Sequence, residues 1–236
     1  MADLELTALD GGRVVASGSG VPPTAAGCTS FAVLTIGRRL QEFTAGDARF
    51  SQVQAAHMTV AAKARYSMRG GQVLLSTKED TFPEGSVLSY MHVAWEGRNH
   101  SLSTVMYHGD TDEALALLDV ANIQEDANGI VLAPTDARVS ILQDSQHAPG
   151  VVVPVPGQGL LQTAKVSRYW DTKRPAWAGM PARGGQLYVE KHGHADHVHP
   201  DMTVLMFGRT AVTRIHLNAR DNELASSATD LVVDWT

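Results

Sequence analysis

One long hairpin is evident in residues 87–107, VLSYMHVAWEGRNHSLSTVMY. Small polar and large apolar side chains alternate on both sides of the tetrapeptide Glu96-Gly97-Arg98-Asn99, which separates the two runs. Alternation with a period of two places apolar side chains on one face of a strand and polar side chains on the other. These residues therefore predict two antiparallel strands with one buried face.

Shorter runs rich in β-branched residues continue this pattern along the chain. Residues 4–9 and 13–16 flank Asp10-Gly11, a dipeptide that supplies the positive φ of a tight hairpin turn. Further strands are predicted at 31–36, 130–133, 139–142, 151–155, 160–166, 187–190, 203–207, 211–217 and 231–235. No repeat of fixed period is evident. The sequence thus predicts an α+β fold that is predominantly antiparallel β.

Two segments change to the helical period and predict short-to-medium helices. Between residues 44 and 68, apolar side chains recur every three or four positions. His57 lies on this apolar stripe, and we expect a core histidine there, with a buried ligand or catalytic base as the alternative. The second helix is predicted at about 111–122, where Asp110 and Glu113 form a capping pair.

Length and composition indicate a globular protein with a sizeable core. The chain has 236 residues, of which 44% are hydrophobic and 19% charged. We expect a single domain over residues 1–236, with at most two lobes and a seam near the Pro/Gly-rich stretch 147–159. The formal charge of −6, without any run of Lys or Arg, argues against nucleic acid as a partner.

Several features bear on the cellular location of the protein. No apolar run approaches the roughly 18 residues that would span a bilayer, so no membrane partner is expected. The N-terminal residues lack a cationic segment followed by an apolar one, and Cys28 has no second cysteine to pair with. Both observations favour the cytoplasm. Few of the basic residues are lysine, and Ala, Gly and Val are abundant, which is typical of a GC-rich bacterial coding sequence.

A dense histidine cluster lies between two predicted strands. His192, His194, His197 and His199 stand within eight residues, with Asp196 among them. On extended backbone, histidines two positions apart point to the same side and can reach one metal ion, for which zinc is the expected species. Asp196 supplies either a hard oxygen ligand or the acceptor that orients an imidazole. Two interpretations stay open, a metal site or a solvated histidine-rich turn.

The run His192-Gly-His-Ala-Asp-His197 resembles the His-x-His-x-Asp-His signature of the metallo-β-lactamase family, whose members are zinc hydrolases with an αββα sandwich. In that family the motif lies early in the chain and further ligands follow it. Here they would have to come from His92, His100 or His108, in a permuted order. His197-Val-His-Pro200 also resembles a segment of JAMM-type metallopeptidases, without their downstream residues. Neither resemblance assigns the chain to a family.

An aromatic and cationic segment, residues 169–177, is the second candidate site. Trp170, Arg174 and Trp177 could contact a partner, because tryptophan and arginine are enriched where proteins bind one another. The alternative is a lid folded over the edge of the sheet.

Two functions follow from these features. The favoured one is a soluble, β-rich binding or assembly protein that contacts a protein partner or copies of itself. The alternative is a zinc-dependent hydrolase that uses His192, His194, Asp196 and His197. The sequence contains neither a phosphate-binding glycine loop nor a G-x-S-x-G nucleophile motif, so the catalytic residues of any enzyme remain unassigned.

Overall fold

The computed structural model describes residues 3–155, 159–191, 202–217 and 228–236. Antiparallel strands predominate and helices are few, which confirms the predicted α+β class. None of the described helices is long and apolar enough to cross a membrane.

The chain divides into two compact units. The central unit comprises Leu9–Gly11 and Thr29–Leu142. The terminal unit comprises Met1–Ala8, Gly12–Cys28 and Gln143–Thr236, and therefore combines residues from both ends of the sequence.

The helices and strands follow in chain order. They are β1 (Leu4–Thr7), β2 (Arg13–Ser17), β3 (Thr29–Ile36), β4 (Arg39–Asp47), α1 (Phe50–His57), β5 (Ala64–Met68), β6 (Gly71–Thr81), β7 (Val87–Glu96), β8 (His100–Tyr107), α2 (Thr111–Ala121), β9 (Ile123–Glu125), β10 (Ile130–Leu132), β11 (Val139–Ile141), β12 (Gly150–Val155), β13 (Gly159–Lys165), α3 (Arg168–Lys173), β14 (Met180–Ala182), β15 (Gly185–Lys191), β16 (Met202–Phe207), β17 (Ala211–Leu217) and β18 (Val232–Trp235).

The central unit is organised around the predicted hairpin, which β7 and β8 confirm. Its strands run in the order β11-β3-β4-β8-β7-β6-β5, and β9 pairs separately with β10. Phe43, Trp95 and Leu102 lie on one face of the sheet and are fully buried in a cluster that includes Leu118 of α2. The indole of Trp95 donates a hydrogen bond to the carbonyl of Met68 at 2.9 Å. The apolar face of the hairpin therefore forms the core as predicted, but the expectation of a single buried face is wrong, because His92, Ala94 and Ser101 on the opposite face are also buried.

The first helix is much shorter than the predicted 44–68. Residues 44–47 pair with β8 and residues 64–68 pair with β6, so strands flank α1 on both sides. The apolar periodicity misled the prediction because Val53 is 62% exposed and His57 is also exposed, which overturns its expected place in the core. Instead, α1 is fixed by Ser51, whose hydroxyl donates to Glu96 and whose N–H donates to Ser101.

The second helix forms as predicted, at Thr111–Ala121. Asp110 accepts a hydrogen bond from the N–H of Glu113, and the Glu113 carboxylate reaches back to the N–H of Asp110. This reciprocal capping box satisfies two of the N–H groups that a helix N-terminus leaves unpaired. Asn122 ends the helix in the left-handed conformation, with a φ of 50°.

The terminal unit repeats the strand order of the central unit. The sequence β3-β4-β8-β7-β6-β5 corresponds to β12-β13-β17-β16-β15-β14, and a helix, α1 or α3, follows the second strand of each set. Both units carry Arg-Gly-Gly-Gln at the corresponding turn. It occupies 69–72 between β5 and β6, and 183–186 between β14 and β15. A Cβ atom at Gly71 or Gly185 would collide with a carbonyl oxygen of the next strand, so glycine is required at both positions.

The arginine of this motif makes an equivalent polar contact in each unit. Arg69 donates to the side chain and the carbonyl of Asp119 near the end of α2, and Arg183 donates to Asp230, which follows β17 in the chain. The terminal unit is completed by β18, which pairs with β2. Its main core contains Val14, Val153 and Trp235, which come from distant parts of the chain.

Candidate partner-binding surface

Five aromatic side chains of the terminal unit form what we term the aromatic cluster, namely Tyr169, Trp170, Trp177, Tyr188 and Phe207. Trp170 meets Tyr169 edge-on, with ring centroids 5.2 Å apart. Tyr188 contacts Trp177 on one side and Phe207 on the other, at centroid distances of 6.4 and 5.5 Å. Edge-to-face contacts of this kind stabilise aromatic pairs beyond the area that they bury. The rings are therefore held in defined orientations.

Local sequence explains how this segment is positioned. Helix α3 begins after Ser167, and the N–H of Tyr169 donates to the carboxylate of Asp144 at 2.7 Å. The helix ends at Arg174, whose backbone is extended, with a ψ of 126°. Pro175 accounts for this ending, because a residue before proline is driven out of the helical region. The chain then bends at residues 176 and 177 before it enters β14.

Three cations stack on the rings of the aromatic cluster. Lys173 lies 5.5 Å from the centroid of Tyr169, Arg174 lies 5.0 Å from that of Phe207, and Arg214 lies 5.2 Å from that of Trp170. Each such contact contributes about 0.5–1 kcal/mol at an exposed site. The stacking fixes the positions of the cations as well as those of the rings.

The charge of this region differs from that of the chain. Residues 165–188 contain five basic side chains and one acidic side chain, Asp171, whereas the whole chain has a formal charge of −6. The exposed members of the basic set include Arg168, Lys173 and Arg174. The exposed side chains of this segment therefore include Trp177 and the cations Arg168, Lys173 and Arg174, on a chain of negative net charge.

The three predicted contact residues have different environments. Trp170 is buried, with 6% of its surface exposed, and packs with Tyr188 and Phe207. Arg174 is exposed and stacked, and Trp177 is 67% exposed. Trp170 thus anchors α3 to the sheet, while Arg174 and Trp177 present their side chains to the surface.

The predicted metal ligands fall on residues that the structure does not describe. His192, His194, Asp196, His197 and His199 all lie outside the described residues, between β15 and β16 in the chain. Within the described residues, no group of three or more His, Cys, Asp or Glu side chains is arranged to hold a metal ion. The metal site stays a prediction.

His92 and Cys28, two residues of types that often take part in catalysis, are buried in the described part of the chain. The Nε2 atom of His92 lies 3.2 Å from the hydroxyl of Ser103, and burial lowers the pKa of His92 below its ordinary value. Burial raises the pKa of the Cys28 thiol to about 11, so this cysteine is a neutral thiol at physiological pH. Both side chains fit packing roles.

Comparison of the chain with protein-family models, with curated proteins and with solved structures gave no match. The resemblance of the histidine cluster to a zinc hydrolase motif therefore rests on the quoted residues alone.

One exposed feature of the central unit was missed by the sequence reading. The end of the β6–β7 hairpin, formed by the turn and the strand residues next to it, carries Glu79, Asp80, Phe82, Glu84 and Val87, which we term the acidic tip. Phe82 is 44% exposed and Val87 is 53% exposed. The sequence signal was available, since three carboxylates surround Phe82-Pro83 and no basic residue lies within 79–87.

Proposed function

We propose that this protein is a binding or assembly protein, and that its aromatic cluster contacts another protein. The observation that carries the proposal is Trp177, which is 67% exposed although it is held edge-on against Tyr188, in a cluster where Arg174 stacks on Phe207. Tryptophan, tyrosine and arginine dominate the binding energy of protein interfaces. A tryptophan that is already ordered also loses little conformational entropy when a partner covers it.

The test is photo-crosslinking in living cells. A photoreactive amino acid is placed at position 177 and, as a matched control, at position 53 in α1, where Val53 is similarly exposed at 62%. We expect a discrete protein adduct from position 177 that is absent from position 53, with mass spectrometry identifying the crosslinked chain. Equal labelling from both positions, or no adduct from position 177, would contradict the proposal.

Zinc-dependent hydrolysis is a second proposal, supported by the complete six-residue match at His192–His197. These residues lie outside the described part of the chain, so no geometry supports a reaction step. A zinc-dependent hydrolase requires a bound metal, and the metal content of the protein can be measured directly.

A further inference from the structure

The acidic tip combines negative charge with exposed apolar side chains, whereas the charged side chains that stack on the aromatic cluster are cations. It bears a formal charge of −3 across residues 79–87, and it projects from the β6–β7 hairpin with every residue from 81 to 87 exposed. The N–H of Phe82 donates to the carbonyl of Ser86, and the N–H of Gly85 donates to that of Phe82, both at 2.9 Å. The turn is therefore internally hydrogen-bonded around an exposed phenylalanine.

The charges of the acidic tip are available at physiological pH. The hydroxyl of Ser86 donates to Glu84 at 2.7 Å and holds the pKa of that carboxyl below its usual value. Glu79 is exposed, while Asp80 pairs with Lys78 at 3.2 Å. Glu79 and Glu84 are thus the carboxylates that a cationic surface would meet.

The two surfaces are complementary in charge and in apolar content. The aromatic cluster offers the exposed Trp177 together with Lys173, which stacks on Tyr169, and Arg174, which stacks on Phe207. The acidic tip offers the exposed Phe82, which carboxylates flank in the sequence. Contact between Phe82 and Trp177 would remove apolar surface from water, while opposite charges around them would favour this pairing over others.

We propose that the occupant of the aromatic cluster is the acidic tip of a second copy of this chain. The proposal rests on the proposed function and specifies its partner. A chain with a charge of −6 repels its own copies, so a second copy can approach best at a positively charged surface. Both surfaces are present in equal amounts, because every chain carries one of each. Because the two surfaces differ, the contact forms either twice, reciprocally, in a two-fold dimer, or head-to-tail, in rings and open chains, and light scattering detects each of these as a rise in mass.

Charge reversal on either surface provides the test. We compare wild type with Lys173→Glu/Arg174→Glu and with Glu79→Lys/Glu84→Lys, measuring mass by light scattering from low micromolar to near-millimolar concentration. We expect wild type to associate in a salt-sensitive manner, and each variant alone to associate at least about tenfold more weakly. An equimolar mixture of the two variants should associate again, because each acidic surface then meets a basic one.

Controls separate the charge effect from misfolding. Arg138→Glu reverses a charge on a side chain that is 85% exposed in another part of the chain, and it should leave association unchanged. Circular dichroism confirms that each variant is folded. If the variant at Lys173 and Arg174 does not fold, the variant of the solvent-exposed acidic tip still decides the matter.

The outcomes also distinguish this inference from the proposed function. A wild-type chain that stays monomeric, or variants that associate as wild type does, would overturn self-association. If a different protein is nevertheless crosslinked at position 177, the proposed function stands and the partner is another chain. Loss of both signals removes both proposals. Nucleic acid binding that Lys173→Glu/Arg174→Glu abolishes would overturn the choice of partner.

Discussion

Trp170 and Trp177 belong to one short segment and have opposite roles. Trp170 is buried among Tyr188, Leu205 and Phe207, whereas Trp177 exposes two thirds of its surface. Residue type alone does not separate them, because both are tryptophans beside cations. Their positions do, since Trp170 lies on the helix face that covers the sheet and Trp177 follows Pro175 beyond the helix.

This difference predicts unequal effects on stability. Trp170→Ala should lower the free energy of unfolding by about 3–5 kcal/mol, because it leaves a large cavity in a packed cluster. Trp177→Ala should cost less than about 1 kcal/mol, since the ring is mostly solvated already. Urea denaturation of both variants measures the two values. Equal losses would show that Trp177 is part of the core and weaken its assignment to a binding surface.

His92 predicts a dependence of stability on pH. Burial lowers its pKa from the ordinary value of 6.5, so the unfolded chain binds a proton at this residue more readily than the folded chain does. Stability from this source is complete above pH 6.5 and declines as the pH falls below it, by at most about 1.4 kcal/mol per pH unit. His92→Gln removes the titration and keeps a hydrogen-bonding group near Ser103. Between pH 7 and pH 5, the free energy of unfolding should therefore fall more steeply for wild type than for His92→Gln. Equal slopes for the two proteins would contradict this expectation.

Metal content tests the histidine cluster. If the cluster binds zinc as predicted, tag-free protein purified without added metal should contain near-stoichiometric zinc, and His192→Ala/His194→Ala should not. His57→Ala/His147→Ala is a matched control, because both of these histidines are exposed and lie elsewhere in the chain. Mass spectrometry for metals reads the result. Wild-type protein that is free of metal would remove the basis of the hydrolase proposal.

At the scale of elements, one arginine holds the end of a helix to a turn. Arg69 donates to the Asp119 carboxylate at 2.8 Å, to the Asp119 carbonyl at 2.9 Å and to the side chain of Asn122 at 2.6 Å. A cation near a helix C-terminus also interacts favourably with the helix dipole. The turn of the Arg-Gly-Gly-Gln motif is thereby attached to α2.

Arg69→Ala should therefore lower the free energy of unfolding by about 1–2 kcal/mol, through loss of charged hydrogen bonds. Arg138→Ala serves as the control, since Arg138 pairs with Asp136 of its own loop and is 85% exposed. Its loss should cost less than about 0.5 kcal/mol. Chemical denaturation compares the two variants, and equal effects would show that Arg69 contributes only an ordinary surface ion pair.

Two elements could be predicted from the sequence because their side-chain patterns follow directly from strand geometry and helix capping. The β7–β8 hairpin and α2 were predictable because alternation and a capping box report local physics directly. The helix over 44–68 was not, since Val53 and His57 repeat at the helical period on an exposed surface. The repeated topology was missed because a unit that occurs only twice gives no periodic pattern, and because equivalent strands differ in length, as β6 and β15 do with 11 and 7 residues. Of the predicted contact residues, Trp170 could not be separated from Trp177 without knowing which face of α3 meets the sheet.

At the scale of the whole molecule, the terminal unit depends on both ends of the sequence. β18 pairs with β2, and Arg13 and Thr236 exchange two backbone hydrogen bonds of 2.9 Å. Leu231, Val233 and Trp235 are buried in the same cluster as Val14 and Val153. The last strand therefore contributes to a core that is assembled from distant segments.

Removal of residues 231–236 should thus weaken the terminal unit selectively. The deletion takes away three buried side chains, and each large buried apolar residue contributes on the order of 2–5 kcal/mol to a core. Hydrogen exchange read by mass spectrometry should show faster exchange in β1, β2, β13 and β17. Exchange in β6, β7 and β8 should change little, because their cluster contains none of the deleted residues. Faster exchange of equal size in both sets of strands would contradict this expectation, and would mean that the two cores unfold as one.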